Sequence, residues 1–207
     1  SPGASAIRLH IGDYNLGQSS YLTLTSVADE AMQRLDAKTI PSSYNWSAAF
    51  IGDSVEVELH VGPGDTGIFV EIDKMRTPEI LKQEGGSVAA ICGTNDDRVP
   101  SFDSRVGRVS AGGAGGAYCT AWLISNGAVL TAGHCIPTAG DFVEFGVPPA
   151  LANGIDLPAS PLNQYPINLA TVVNENAGVG MDWMVFGLNA NTTTFRTAHN
   201  FQGYFRM

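Results

Sequence analysis

Residues 119–135 bring two cysteines and a histidine into one short run, Cys-Thr-Ala-Trp-Leu-Ile-Ser-Asn-Gly-Ala-Val-Leu-Thr-Ala-Gly-His-Cys. The pattern is strand, Ser125-Asn126-Gly127 turn, strand, and then Thr131-Ala132-Gly133-His134-Cys135. Cysteines at the two ends of a hairpin can lie close enough to bridge. A bridge there would pin the loop that carries His134. Pinning an imidazole makes chemical sense when it must stay within hydrogen-bond reach of a nucleophile as a general base. The bland reading of the same residues is a buried histidine in a disulfide hairpin.

The segment resembles the histidine motif of chymotrypsin-like (trypsin-fold) serine proteases, a Thr-Ala-Ala/Gly-His-Cys signature closed by a disulfide to a cysteine on the preceding hairpin. The resemblance implies a Cys119 to Cys135 disulfide, His134 as general base, and an orienting aspartate further on. Asp182 fits that place. It sits in Gly180-Met181-Asp182-Trp183-Met184-Val185-Phe186, just before an apolar stretch. Its expected role is to fix the tautomer of His134 and stabilise the imidazolium that forms when the ring takes the serine proton.

The third member of such a triad is missing. The family's nucleophile lies in Gly-Asp-Ser-Gly-Gly after the histidine and the aspartate, and no serine follows Ser160. Gly52-Asp53-Ser54 precedes His134 and continues Val-Glu-Val-Glu, so it reads as a turn before a strand. The resemblance therefore covers an N-terminal portion of a protease. It implies a Ser-His-Asp endopeptidase whose serine lies in a companion chain or beyond Met207, with this chain inert alone. A first barrel on its own would expose an apolar face that seeks a partner. The competing function is a non-catalytic binding or scaffold protein on a protease-like barrel.

The elements that must position these residues read as strands throughout, an all-β chain. Alternating apolar and polar residues mark strands at 6–11, 21–25, 55–61 and 67–72, with Gly-Asp, Pro-Gly and Gly-Gln turns between them. Residues 27–35 fit either a helical face or a strand after a turn; the strand agrees with its neighbours. Residues 1–85 are expected to form a β-sandwich-like domain, an accessory or pro-domain. Pro78, several charges and Gly85-Gly86 then mark a linker, with a boundary near residue 85. In residues 86–207, strands at 105–110, 117–124, 128–131, 142–145, 168–173 and 183–188 suit a small antiparallel barrel. There is no internal repeat.

Composition narrows the classes. The 207 residues are 44% hydrophobic and 15% charged, enough apolar content for a packed core. Twenty Asp and Glu against eleven Lys and Arg give −9, which argues against a nucleic-acid partner held by phosphate contacts. No apolar run reaches the roughly 18–20 residues of a membrane span. The polar start Ser1-Pro2-Gly3 fits a mature secreted protein whose signal has gone. With Cys119 and Cys135 paired, Cys92 is left over. It is a candidate for an inter-chain disulfide to the absent half, or else a buried thiol.

Two weaker resemblances name a source type. Residues 91–99 resemble the start of bacterial glutamyl-endopeptidase-like enzymes. Residues 45–60 resemble the N-terminal region of bacterial secreted lysyl-endopeptidase-like proteins. The second implies a pro-domain or accessory domain on an exported bacterial enzyme, hence a zymogen; a peptide or protein substrate and no cofactor are expected. No Cys or His pair has metal-ligand spacing, so no zinc site is expected. Asn95-Asp96-Asp97 reads as a solvated turn. His10 and His60 read as strand residues, His199 as a loop residue, and Trp46, Trp122 and Trp183 as packing residues.

Overall fold

The computed structural model describes residues 3–77, 101–111, 116–151 and 156–206. The linker and boundary expected near residue 85, Cys92 and the 95–97 turn lie outside the described residues.

The first part holds six strands, β1 (Ala6–Asn15), β2 (Tyr21–Ser26), β3 (Met32–Asp36), β4 (Phe50–Ile51), β5 (Val55–His60) and β6 (Phe69–Arg76), with one helical turn, α1 (Thr39–Ser42). They form two three-stranded sheets, β4-β1-β6 and β3-β2-β5. Period-two alternation decides which side chains go inward. Leu22 and Leu24 of β2 are buried, with Leu35 and Leu59 opposite Leu22 on the flanking strands. Leu22, Leu24 and Leu35 make one core with Ile7, Leu9 and Ile11 of β1, Ile40 of α1 and Phe50 of β4, whereas Leu59 faces solvent. Residues 27–35 resolve as a turn leading into β3.

A carboxylate fastens the loop between β1 and β2. Asp65 accepts backbone N–H groups from Gln18 (3.0 Å), Ser19 (2.9 Å) and Ser20 (2.8 Å), and the hydroxyls of both serines. These bonds, that from Gln18 foremost, hold its pKa far below the usual carboxylate range.

The second part is a closed barrel of β7 (Val106–Ser110), β8 (Ala117–Leu123), β9 (Val129–Thr131), β10 (Phe142–Phe145), β11 (Gln164–Asn176) and β12 (Asp182–Leu188). Its order is β10-β11-β12-β9-β8-β7, every pairing antiparallel. Closure removes the sheet edges. Val109, Leu123, Val129, Phe145, Tyr165 and Phe186 fill the interior, and α2 (Ala198–Gln202) adds Ala198. His199 thus lies in a helical turn and not in a loop, because burial of Ala198 holds that turn against the barrel. Glu144, buried in β10, accepts from Arg108 Nε (2.9 Å), from the Ser110 hydroxyl and from the Ala159 N–H (2.6 Å).

The two parts meet across a buried polar seam. Arg8, 2% exposed, donates to the carbonyls of Ser47 (2.5 Å) and Gly140 (2.7 Å) and lies over the Phe142 ring. Gln164 and Ala49 exchange two bonds of 2.8 Å. Gln33 Nε2 donates to the Thr192 hydroxyl (2.7 Å) and Asn189 Nδ2 to the Ser42 carbonyl (2.7 Å).

Of the three tryptophans, only Trp46 packs as expected. Trp122 and Trp183 are 40% and 41% exposed. On β8 the inward phase belongs to Ala121 and Leu123, so Trp122 points out.

Candidate functional site

His134 stands in the turn that follows β9. The Cys135 N–H closes that turn onto the Ala132 carbonyl (3.1 Å). The Thr131 hydroxyl ties the end of β9 to the Thr120 carbonyl of β8 (2.7 Å). Cys119 and Cys135 are joined by a disulfide across a Cα–Cα distance of 6.2 Å, as the hairpin reading expected. Gly133 fits where no side chain does. A Cβ there would stand 1.8 Å from the Glu175 carbonyl oxygen on β11 and 2.9 Å from the Trp183 nitrogen on β12. The histidine loop therefore lies directly on the backbone of the β11–β12 hairpin.

That contact sets His134 beside Asp182, the first residue of β12. Asp182 grips it at two points. Oδ1 accepts the His134 backbone N–H at 2.9 Å, and Oδ2 lies 2.7 Å from Nδ1. The His134 ring first, then the His134 and Gly133 backbone N–H groups, hold the Asp182 carboxyl below the ordinary carboxylate range. An ionised carboxylate only accepts, so the proton of a neutral His134 sits on Nδ1 and the Nε2 lone pair faces outward. The His134 side chain is 62% exposed and that of Asp182 30%. Around them several apolar side chains are exposed: Ile136, Val179, Met181 and Trp183. A depression of about 460 Å³ adjoins His134, lined by Tyr118, Thr120, Trp122 and Cys135 among others.

The structure thus brings together four of the five residues singled out from sequence, Cys119, His134, Cys135 and Asp182; the fifth, Cys92, lies outside the described residues. Among the described residues no hydroxyl or thiol is hydrogen-bonded to His134. Gly52-Asp53-Ser54 lies in the turn before β5, where the Ser54 hydroxyl donates to Asp53 (2.8 Å). It plays no part in the site.

Two arrangements escaped sequence reasoning. A ring nitrogen of His134 and the two cysteine sulfurs lie within 4.8 Å of one another. Linear spacing hid this, because the hairpin folds position 119 back onto 134 and 135. Joined as a disulfide, the sulfurs are not thiolates and do not act as zinc ligands. A second histidine–carboxylate pair lies in the first part. His10 Nδ1 is 2.5 Å from Asp73 Oδ1, and the ring packs on Trp46 at 4.7 Å. Gly12 makes room for it, since a Cβ there would meet Asp73 Cγ at 2.7 Å. No spacing rule links residues 10 and 73.

Comparison of the chain with models of protein families, with curated proteins and with solved structures found no match.

Proposed function

We propose that this chain carries the base half of a secreted serine endopeptidase. His134 is the general base and then acid, and Asp182 orients it. The nucleophilic serine comes from polypeptide beyond the described residues, in a companion chain or a continuation. The observation that carries the reading is the two-point grip of Asp182 on His134, with Nε2 left open. In that assignment Nε2 takes the serine proton as Oγ attacks the peptide carbonyl carbon. The imidazolium, stabilised by the Asp182 carboxylate, then protonates the leaving amine. Water repeats the cycle on the acyl-enzyme. Six antiparallel strands closed into a barrel, a disulfide-pinned histidine loop and exposed apolar neighbours support the same reading.

A second reading is a non-catalytic binding or scaffold module. Its support is the lack, among the described residues, of a hydroxyl or thiol bonded to His134, and the gathering of that ring with two sulfurs.

Labelling with a serine-directed fluorophosphonate, followed by intact mass with and without reductant, separates the two. The endopeptidase reading expects no label on the 207-residue chain alone. It expects label on a companion polypeptide or on the continued chain, lost in His134→Ala. Absence of label on every polypeptide of the natural protein leaves the scaffold reading.

A further inference from the structure

We infer that Arg8 and Asp141 are positioning residues that carry the grip of the first part through the 136–141 loop to Tyr118, a wall of the depression beside His134. The inference takes that depression as the seat of substrate, and in this respect rests on the endopeptidase reading. The linkage from Arg8 to Tyr118 does not.

The loop that leaves His134 is held to β8 at both ends, on neighbouring residues. At its start Cys135 is joined to Cys119. At its end the Tyr118 hydroxyl donates to Asp141 Oδ2 (3.0 Å). Asp141 is buried and also ties the loop to itself. Its Oδ2 accepts the Thr138 N–H (2.8 Å), its Oδ1 accepts the Thr138 hydroxyl (3.3 Å), and its own N–H donates to the Thr138 carbonyl (3.0 Å).

The ladder does not aim Tyr118. Val109 pairs with Cys119 and Ser110 with Ala117, so Tyr118 is the extra residue of a bulge in β8. A bulge re-aims a side chain and leaves its residue outside the regular pairing. The bond to Asp141 then sets where the ring stands.

The first part reaches the same loop one residue earlier. Arg8 donates to the Gly140 carbonyl at 2.7 Å, and its charge faces Asp141 and Glu144, with Arg76 the opposing cation. Trp46 closes the other side of Gly140. A Cβ there would stand 2.7 Å from Trp46 Cδ1, at a φ of +94° that suits glycine. Arg8 thus fixes the Gly140 peptide and balances the buried Asp141 carboxylate. Tyr118 lines the depression together with Trp122, His134 and Cys135. On this inference the first part is a working member of the site rather than a detachable pro-domain.

Burial, and then the Asp141 carboxylate beside it, hold the Tyr118 phenol above its ordinary pKa. Carbon-13 NMR titration of Cζ-labelled tyrosine in the full chain, with Tyr118→Phe to assign the resonance, reads the linkage. Arg8→Met separates two roles by sign. Loss of a nearby cation alone disfavours the phenolate and raises the Tyr118 pKa. Release of Gly140 and Asp141 frees the phenol to solvent and lowers it, by about one pH unit or more. The inference expects the lower value in Arg8→Met and in Asp141→Asn. Arg8→Lys keeps the charge but loses the guanidinium fork that spans the Ser47 and Gly140 carbonyls, so it should move Tyr118 the same way. It is the variant to use if Arg8→Met fails to fold. With β-sheet circular dichroism intact, an unchanged or raised Tyr118 pKa in the Arg8 variants, or an unchanged one in Asp141→Asn, overturns the linkage. In the protein completed by its serine, Arg8→Lys should raise KM several-fold and leave kcat unchanged, since His134 and Asp182 lie outside the linkage. A change confined to kcat would overturn the role at the depression. The titration requires no hydrolysis, so a failed linkage and a failed endopeptidase assignment are told apart.

Discussion

Gly133→Ala tests how the histidine loop is placed. The new Cβ would start 1.8 Å from the Glu175 carbonyl oxygen, with the Trp183 nitrogen at 2.9 Å. Both obstacles are backbone atoms, so no side chain can swing aside. Merely reaching 3.0 Å requires the loop and the hairpin to part by about 1.2 Å. Glu175 and Trp183 are paired next to the Asn176–Asp182 pair, so that parting acts directly on the carboxylate. Bonds of 2.7 and 2.9 Å between His134 and Asp182 do not survive a displacement of that size. The overpacking costs about 1–3 kcal/mol, and the lost charge-assisted bonds add to it. Urea unfolding reads the stability. The downfield Nδ1–H proton resonance of His134 reads the bond, and should vanish or broaden. Under the proposed endopeptidase assignment, kcat/KM should fall about a hundredfold, the cost of an ångström of misplacement. An intact resonance with stability changed by less than about 0.5 kcal/mol would refute the tight-contact argument.

Asp182→Asn offers one oxygen to two donors, so the Nδ1 tautomer is no longer enforced. Under the proposed endopeptidase assignment, activity of the protein completed by its serine should drop by on the order of 10⁴-fold, as when a triad carboxylate becomes an amide. A drop under tenfold would argue against Asp182 as the orienting group. Asp65→Ala should lower the urea midpoint at pH 7. The depressed pKa of Asp65 places its stabilisation above the ordinary carboxylate pKa of about 3.9 and removes it as pH falls towards the folded value. The gap between variant and parent should therefore close in acid; a gap constant with pH would mean that the charge is not its source. Arg8→Ala leaves two carbonyls and the nearby Asp141 and Glu144 without their buried cation, and should cost about 3–5 kcal/mol. Calorimetry should then show the two parts melting less cooperatively; an unchanged single transition would count against the seam as the coupling element.

Alternation makes most strands legible in the sequence itself. β2 reads inward at Leu22 and Leu24 because one face is buried, and the 27–35 stretch became a turn and β3 for the same reason. β11 ran longer than the 168–173 reading, because Pro166 sits within it, opposite Phe142. A proline without an N–H argues against a strand from sequence alone. β4, two residues long, is too short for any period to register. Trp122 was misplaced by side-chain type, although the phase of β8 assigns it outward. At the site, the Cys119 to Cys135 run and Asp182 were legible by motif. The seam and the His10–Asp73 pair were not, since partners 63 and 132 positions apart leave no local signal.

The polar seam also bears on how this chain comes to be folded. Arg8 waits for Gly140, Ala49 for Gln164 and Gln33 for Thr192, partners 132, 115 and 159 positions later. Contacts so distant in sequence form slowly, because a long loop must close before they reward it. During synthesis the first sheets emerge well before their partners exist. At about 5–20 residues per second the ribosome leaves that half-made surface exposed for several seconds or more. Until Gly140 arrives, the Arg8 guanidinium has only part of its folded-state partners, and a charged group of that kind resists burial against an apolar surface.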